Sequence, residues 1–525
     1  MDTKALRQKI LDLAIRGKLV PQNPNDEPAS VLLERIRAEK QQMVKDGKLK
    51  AKDIKNDTVI FLGDDNLHYE KFPDGTVKCI EDEIPFELPE GWEWTRLQAI
   101  CEPITDGTHK TPTYSDEGFI FLSSKNVTSG HIDWDNIMYI PESLHNELYA
   151  RLAPQKNDIL LAKNGTTGVA AIVDRDCIFD IYVSLALLRI IGYIISPEYL
   201  LSTIASSTIQ NYFNSSLKGI GVPNLHLEHI RTTLIPVAPI NEQYRIATKL
   251  EQLLSFADNI ESDKTDLQTT IQLTKSKILD LAIRGKLVPQ NPDDEPANVL
   301  LDRIRAEKEG LIKQGKIKRD KKESVIFKGD DNSYYLRMGN LIETLDDWRI
   351  NDIPYSWGIC CLGEVCDYGN CTNVDTKDIP KTAWILDLED IEKDTGKVSQ
   401  KLTLKERNSA STKHSFHKGQ VLYSKLRPYL NKVVLVDDDG YCTSEILPLD
   451  FNKYILPEYA KYYLMSPTFL RYANHCSYGV KMPRLGTLDG RKAVLIVPPV
   501  NEQKRIADKV SQLFSLLDSI ADNVN

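Results

Sequence analysis

The residues best suited to chemistry in this chain are basic ones, gathered where acids are missing. Between Arg407 and Val436 no aspartate or glutamate occurs, while Arg407, Lys413, Lys418, Lys425, Arg427 and Lys432 do, with His414, His417, Tyr423 and Tyr429 among them. Tyr459 to Leu488 is also acid-free, with Lys461, Arg471, Lys481 and Arg484 among tyrosines. In a chain of formal net charge −9, such clustering is an electrostatic footprint for phosphate. Arginine, asparagine and glutamine there also carry the donors and acceptors that read base edges. An ordinary solvated face is the competing reading of any single charge run. The first half of the chain offers polar loops with fewer charges: DGTHKTP (106–112), SSKN (123–126), KNGTTG (163–168) and KGIGVPN (218–224). Plain turns compete for these.

Enzymatic chemistry finds little support. Gly310-LIKQ-Gly315-Lys316 begins like a phosphate loop, but Ile317 stands where a Ser or Thr must hold the metal, and no strand precedes it. Gly219-Ile-Gly221 lacks the third glycine of a dinucleotide loop. No HExxH, no GxSxG and no convincing acidic triad for a nuclease is present. The nine cysteines form no CxxC pair, and Cys360, Cys361, Cys366 and Cys371 fit no common zinc spacing. We therefore expect no catalytic residues and no metal ligands, so the chain is non-catalytic by itself. No apolar run of about 18 residues exists, and the N-terminus lacks an apolar signal core. A cytoplasmic location follows as an expectation.

The elements that must position these residues are organised by a repeat. Lys9–Lys40 and Lys277–Lys308 are separated by 268 residues and differ at only three positions, Asn25/Asp293, Ser30/Asn298 and Glu34/Asp302. Two copies mean a protein built from two halves. Leu6, Ile10 and Leu13 give residues 2–16 one apolar face, and Gly17 stops that helix. Pro28 opens a second helix, Ala29 to about Lys45, with Asp26 and Glu27 at its positive end. Residues 45–55 read as a charged, mobile connection, and 58–83 as a small hairpin. A mixed domain follows, with short strands near Phe119–Leu122, Asp158–Leu161 and Val169–Val173 and one helix over Pro197–Phe213. Asn241 reads as the N-cap of a long helix. Its seam of Ile246, Leu250, Leu253, Ala257, Ile260, Lys264, Leu267, Ile271, Thr274, Ile278 and Leu281 is a heptad pattern. Such a helix would be roughly 60–65 Å long.

A second mixed domain echoes the first at an offset of 260: PEYL (197) with PEYA (457), LKGIGVPNL (217) with SYGVKMPRL (477), PINEQYRIA (239) with PVNEQKRIA (499). The last seam is Ile506, Val510, Leu513, Leu517, Ile520, Val524. The two offsets align Asn525 with Thr265 and Met1 with Thr269. They predict a circular repeat in which the terminal helices together rebuild a copy of the central one and pair with it antiparallel.

KILDLAIRGKLVPQNP, EIPFELPEGWEW, DGTHKTPTY, the P-x-NEQ-x-RIA signature after each mixed domain and LYSKLRPYLNKVV together resemble the specificity subunit of type I restriction–modification systems. The match covers essentially the whole chain. The resemblance implies an α+β fold: two globular target-recognition domains separated by long antiparallel coiled-coil helices in a pseudo-twofold circular repeat. The expected divisions are a helical region at 1–57, a linker hairpin at 58–85, recognition domain one at 86–240 and a central helical spacer at 241–323. A second linker hairpin at 324–350, recognition domain two at 351–500 and a terminal helix at 501–525 complete them. Each domain would read one half of a bipartite, asymmetric double-stranded DNA target. The helices would set the spacing and dock two methyltransferase subunits, with two restriction (motor-nuclease) subunits completing the complex. S-adenosylmethionine, ATP and Mg2+ would belong to those partners, with no cofactor on this chain and no membrane partner. A structural adaptor that joins two enzymes without touching DNA is the alternative. The DNA-binding candidates are Thr108, His109, Lys110, Lys125, Asn126, Lys163, Asn164 and Lys218 in the first domain, and Lys413, Lys425, Arg427, Tyr429, Lys481 and Arg484 in the second.

Overall fold

The computed structural model of the chain describes residues 2–217, 223–316, 324–331, 333–345, 353–407, 409–451 and 453–524. It divides into two compact units, Met1–Asp263 and Lys264–Asn525. The division falls inside one 44-residue helix, Ile240–Ile283, so each unit owns one end of it.

In the first unit the apolar spacing of Thr3–Ile15 (α1) makes a helix that buries Ile10, Leu11, Ala14 and Ile15. Asp2 caps it by accepting from Ala5 N at 3.0 Å. Gly17 ends it at φ 61, and a Cβ there would run into Pro89, so both the dihedral and the close approach demand glycine. Ala29–Lys45 (α2) follows, with Pro28 as its N-cap. Asp26 and Glu27 directly precede that cap, where Asp26 also accepts from Arg245 at 2.7 Å and Glu27 from Arg35 at 2.8 Å. The stretch expected to be a mobile connection holds a short helix, Ala51–Ile54, and a buried Leu49. The hairpin is a three-stranded antiparallel sheet, Val59–Leu62, His68–Lys71 and Val77–Cys79.

The long helix (α3, Ile240–Ile283) starts one residue before Asn241, which therefore lies in the first turn rather than capping it. α1 runs antiparallel to the first part of α3. Thr3 donates to Glu261, Arg7 pairs with Asp258, and Ile10, Leu11 and Ala14 share a core with Ile246 and Leu250. In the second unit the remainder of α3 packs with Ala297–Lys313 (α4) and Val500–Val524 (α5), through Ile278, Leu279, Ala282 and Ile283 against Ile506, Val510 and Phe514. One seam position shifts. Thr274 is exposed and Lys275 buried instead, its amine on Asp518 and 5.3 Å from the Phe514 ring centroid. A lysine can do this because its stem is apolar and only its tip needs a partner.

Each unit also carries a mixed domain, and the chain is α+β built twice. The central strand of the first, Ile159–Ala162, lies between Leu185–Leu188 and Ala170–Ile172; that of the second, Val421–Ser424, lies between Ile446–Leu449 and Val433–Leu435. All eight residues of the two central strands are buried, which their near-continuous apolar runs require. The single helix expected over Pro197–Phe213 is two, Pro197–Ala205 and Ser207–Ser215. Ser206 breaks them at ψ 152, with its hydroxyl turned back to the Thr203 carbonyl at 2.6 Å.

The P-x-NEQ-x-RIA signature ties each domain to its helices, by the same bonds twice. Asn241 and Arg245 reach Asp26, and Asn501 and Arg505 reach Asp294. Trp92 Nε1 donates to Glu242 at 3.0 Å, and Trp357 Nε1 to Glu502 at 3.0 Å. Gln243 accepts from Ser196 N and donates to Ala238 O; Gln503 accepts from Leu456 N and donates to Pro498 O. Arg245 and Arg505 hold Asp26 and Asp294 below the usual carboxylate range, while burial pushes Glu242 and Glu502 above it.

Candidate nucleic-acid interface

The polar loops singled out in the first domain converge. Lys163 Nζ pairs with Asp106, Val183 N donates to the Thr108 carbonyl at 3.0 Å, and Ser124 N donates to Ser184 Oγ at 2.9 Å. Asn164 bridges Asn224, and Leu225 N donates to the Lys163 carbonyl at 2.9 Å. Segments far apart in sequence thus form one loop cluster at the end of the Ile159–Ala162 strand. Exposed on it are His109, Lys110 and Lys125, with Thr108 half-buried. His109 Nε2 lies 3.1 Å from Asp106.

Two candidates here are corrected to structural parts. Lys163 is buried with its amine on Asp106, so its charge is already matched and its tip cannot reach a phosphate. Asn126 is buried too: its side chain accepts from Ser123 N at 2.9 Å and donates to the carbonyls of Asn136 at 3.0 Å and Asp133 at 3.3 Å. It closes the turn that displays Lys125. Lys218 lies outside the described residues.

In the second domain the two acid-free windows meet. Arg427 N donates to Pro483 O at 2.7 Å, Leu485 N to Lys425 O at 3.0 Å, and Leu426 bridges Arg484. Arg427, Tyr429 and Lys481 are exposed there and Lys425 is half-buried. Arg427 stands at φ 49, in the left-handed region that only a constrained turn imposes on a side-chain-bearing residue. Other basic residues of the windows are neutralised by acids from elsewhere. Lys413, a candidate, is 2% exposed and lies 3.3 Å from Asp387, which corrects it to a core residue. Arg407 is held by Asp387, Glu389 and Asp390. Arg484 forks onto Glu445 at 2.8–3.1 Å and holds that carboxyl below its usual range. Arg484 therefore faces any ligand as half of an ion pair, not as a free cation. Lys432 donates to Leu388 O at 2.6 Å, and burial lowers its pKa.

The two clusters share a backbone. Lys163 N donates to Ser184 O at 2.8 Å and Lys425 N to Glu445 O at 3.1 Å; the matching carbonyls accept from Leu225 N and Leu485 N. The bridges Asn164–Asn224 and Leu426–Arg484 correspond. Equivalent positions thus carry Ser184 and Glu445, Asn164 and Leu426, Asn224 and Arg484. Asn224, Ser184 and Glu445 were not among the sequence candidates. The weak offset-260 match was the available signal for Asn224 and Arg484; no local pattern marks Ser184 or Glu445.

Each unit thus carries a like-built mixed domain on helical elements, and the two domains present unlike polar loops. The family model for the type I restriction modification DNA specificity domain matches residues 89–268 and 354–524, and the chain belongs to that family. It carries two such domains. The type I restriction enzyme EcoAI specificity subunit of Escherichia coli is 31% identical over 431 residues, 70% of this chain and 63% of the relative. The EcoEI specificity subunit of Escherichia coli is 25% identical over 603 residues, 98% of this chain and 90% of the relative. The fold is shared with a chain in a solved structure reported as "Structural basis underlying complex assembly and conformational transition of the type I R-M system". Its TM-score is 0.53 at 17% identity, with 84% of this chain and 94% of that one covered.

Proposed function

We propose that this chain is the DNA-binding specificity subunit of a type I restriction–modification complex, each mixed domain reading one half of a bipartite, asymmetric target. The observation that carries this is the shared loop backbone with unlike side chains at equivalent positions. One docking geometry then meets two different sequences. Residues 86–240 and 351–500 are the recognition domains. Lys110, Lys125, Lys425, Arg427 and Lys481 contact phosphate, with Thr108, His109, Asn164, Tyr429 and the Arg484–Glu445 pair beside them. The near-identical helical repeats dock two copies of one methyltransferase, and two motor-nuclease subunits complete the assembly. Those partners use S-adenosylmethionine, ATP and Mg2+, and this chain performs no chemistry alone. Among the described residues no helix is long and apolar enough to cross a membrane. The complex works on DNA in the cytoplasm.

The test is to assemble the chain with its methyltransferase, measure DNA affinity over a salt series, and map the methylated positions. A bipartite methylated motif and a steep fall of affinity with salt are expected, because bound phosphates release counterions. Salt-independent affinity, or methylation without a motif, leaves only an adaptor role.

A further inference from the structure

We infer that Asn164 and Asn224 form a base-reading pair for an adenine in the half-site taken by the first domain; this rests on the DNA-reading function proposed above. The two residues face each other across an isolated bridge at the loop cluster. The side-chain oxygens of both are buried, and among the described residues neither has a hydrogen-bond partner. Buried polar atoms are nearly always paired. Two orphan carboxamide oxygens on residues paired by one bridge mark a place where a ligand supplies the missing bonds. Each carboxamide offers one acceptor and one pair of donors, the complement of the N7 acceptor and N6 donor that adenine shows in the major groove. A half-turn of the amide exchanges oxygen and nitrogen without changing its shape, so either arrangement is open to it.

The surroundings suit that task. Next to Asn164 in the chain, Lys163 pins its loop to Asp106, which fixes the backbone before any ligand arrives. Lys110 and Lys125 are exposed on the same cluster, where phosphate contacts set register without reading sequence. The second domain has the same bridge but no carboxamide on it: Leu426 is buried, and Arg484 is bound to Glu445. The two half-sites should therefore differ at the step this bridge meets.

The full chain, assembled with its methyltransferase, is tested on a DNA library randomised in both half-sites, with methylation read by position. The variants are Asn164→Leu with Asn224→Arg, which installs the residues of the second domain, and Asn224→Asp, which keeps the shape but removes the donor. In both, adenine preference at one position of the first half-site should fall roughly 5- to 150-fold, the span of one bidentate base contact. Preferences at its other positions and in the second half-site should not move. An unchanged motif overturns the assignment. So does a uniform loss across all first half-site sequences, which would mean a structural or phosphate role. A wild-type first half-site with no adenine preference overturns it outright. Absence of any motif from the wild-type complex instead sinks the parent function.

Discussion

Arg427 is exposed at a left-handed turn whose backbone is fixed by the bond to Pro483. Its alanine variant keeps the same backbone cost and loses only the cation. Arg427→Ala should therefore weaken DNA binding at unchanged melting temperature, and lower the slope of log affinity against log salt by about 0.9; an unchanged slope strikes Arg427 from the interface. Lys163→Met should behave in the opposite way. Among the described residues it leaves the buried Asp106 carboxylate with His109 as its one ion-pair partner, while the Arg151 guanidinium stays on the Asp106 main-chain carbonyl, a loss of about 3 kcal/mol on urea unfolding. Its direct effect on the salt slope should be nil. The contrast separates a cation that meets DNA from one that builds the loop.

The elements are held to each other by the signature clamp, and its acids titrate in opposite directions. Asp26 has a depressed pKa, from Arg245 first. A depressed carboxylate stabilises the fold above its unfolded pKa and loses that contribution as pH falls through the folded value. Asp26→Asn should thus lower the urea midpoint at pH 7, with the gap to wild type closing below about pH 4, the ordinary aspartate range. A gap that stays constant into acid would falsify a charge-based clamp. Glu242 carries the reverse sign, because burial raises it. Glu242→Gln keeps an oxygen for the Trp92 indole and removes a costly buried charge, so at pH 7 its melting temperature should equal or exceed that of wild type.

For the molecule as a whole, the charge that matters is what remains after internal pairing. Among the described residues none of the five lysine and arginine side chains proposed at phosphates, Lys110, Lys125, Lys425, Arg427 and Lys481, is ion-paired, though the Glu445 charge acts on Lys425. If each releases its counterions, the salt slope for double-stranded DNA should be about −4.5. A slope near −1 would mean that most of them point elsewhere.

The sequence by itself determined the repeat, the order of helices and domains, the heptad faces and the glycine stops. These depend on local periodicity and on backbone dihedrals that few residues tolerate. It also marked the loops that converge in the first domain, since Gly, Asn and Thr clusters announce turns. Only the tertiary structure decided which of the flagged residues face solvent. Both windows, Arg407–Val436 and Tyr459–Leu488, lack acids along the chain, yet folding sets Asp387, Glu389, Asp390 and Glu445 against Arg407, Lys413 and Arg484. A charge run fixes how many cations a segment carries, but their partners come from strands and turns dozens of residues away. The same folding placed Asn164 against Asn224 and Leu426 against Arg484, pairings that strand order fixes and no local pattern encodes.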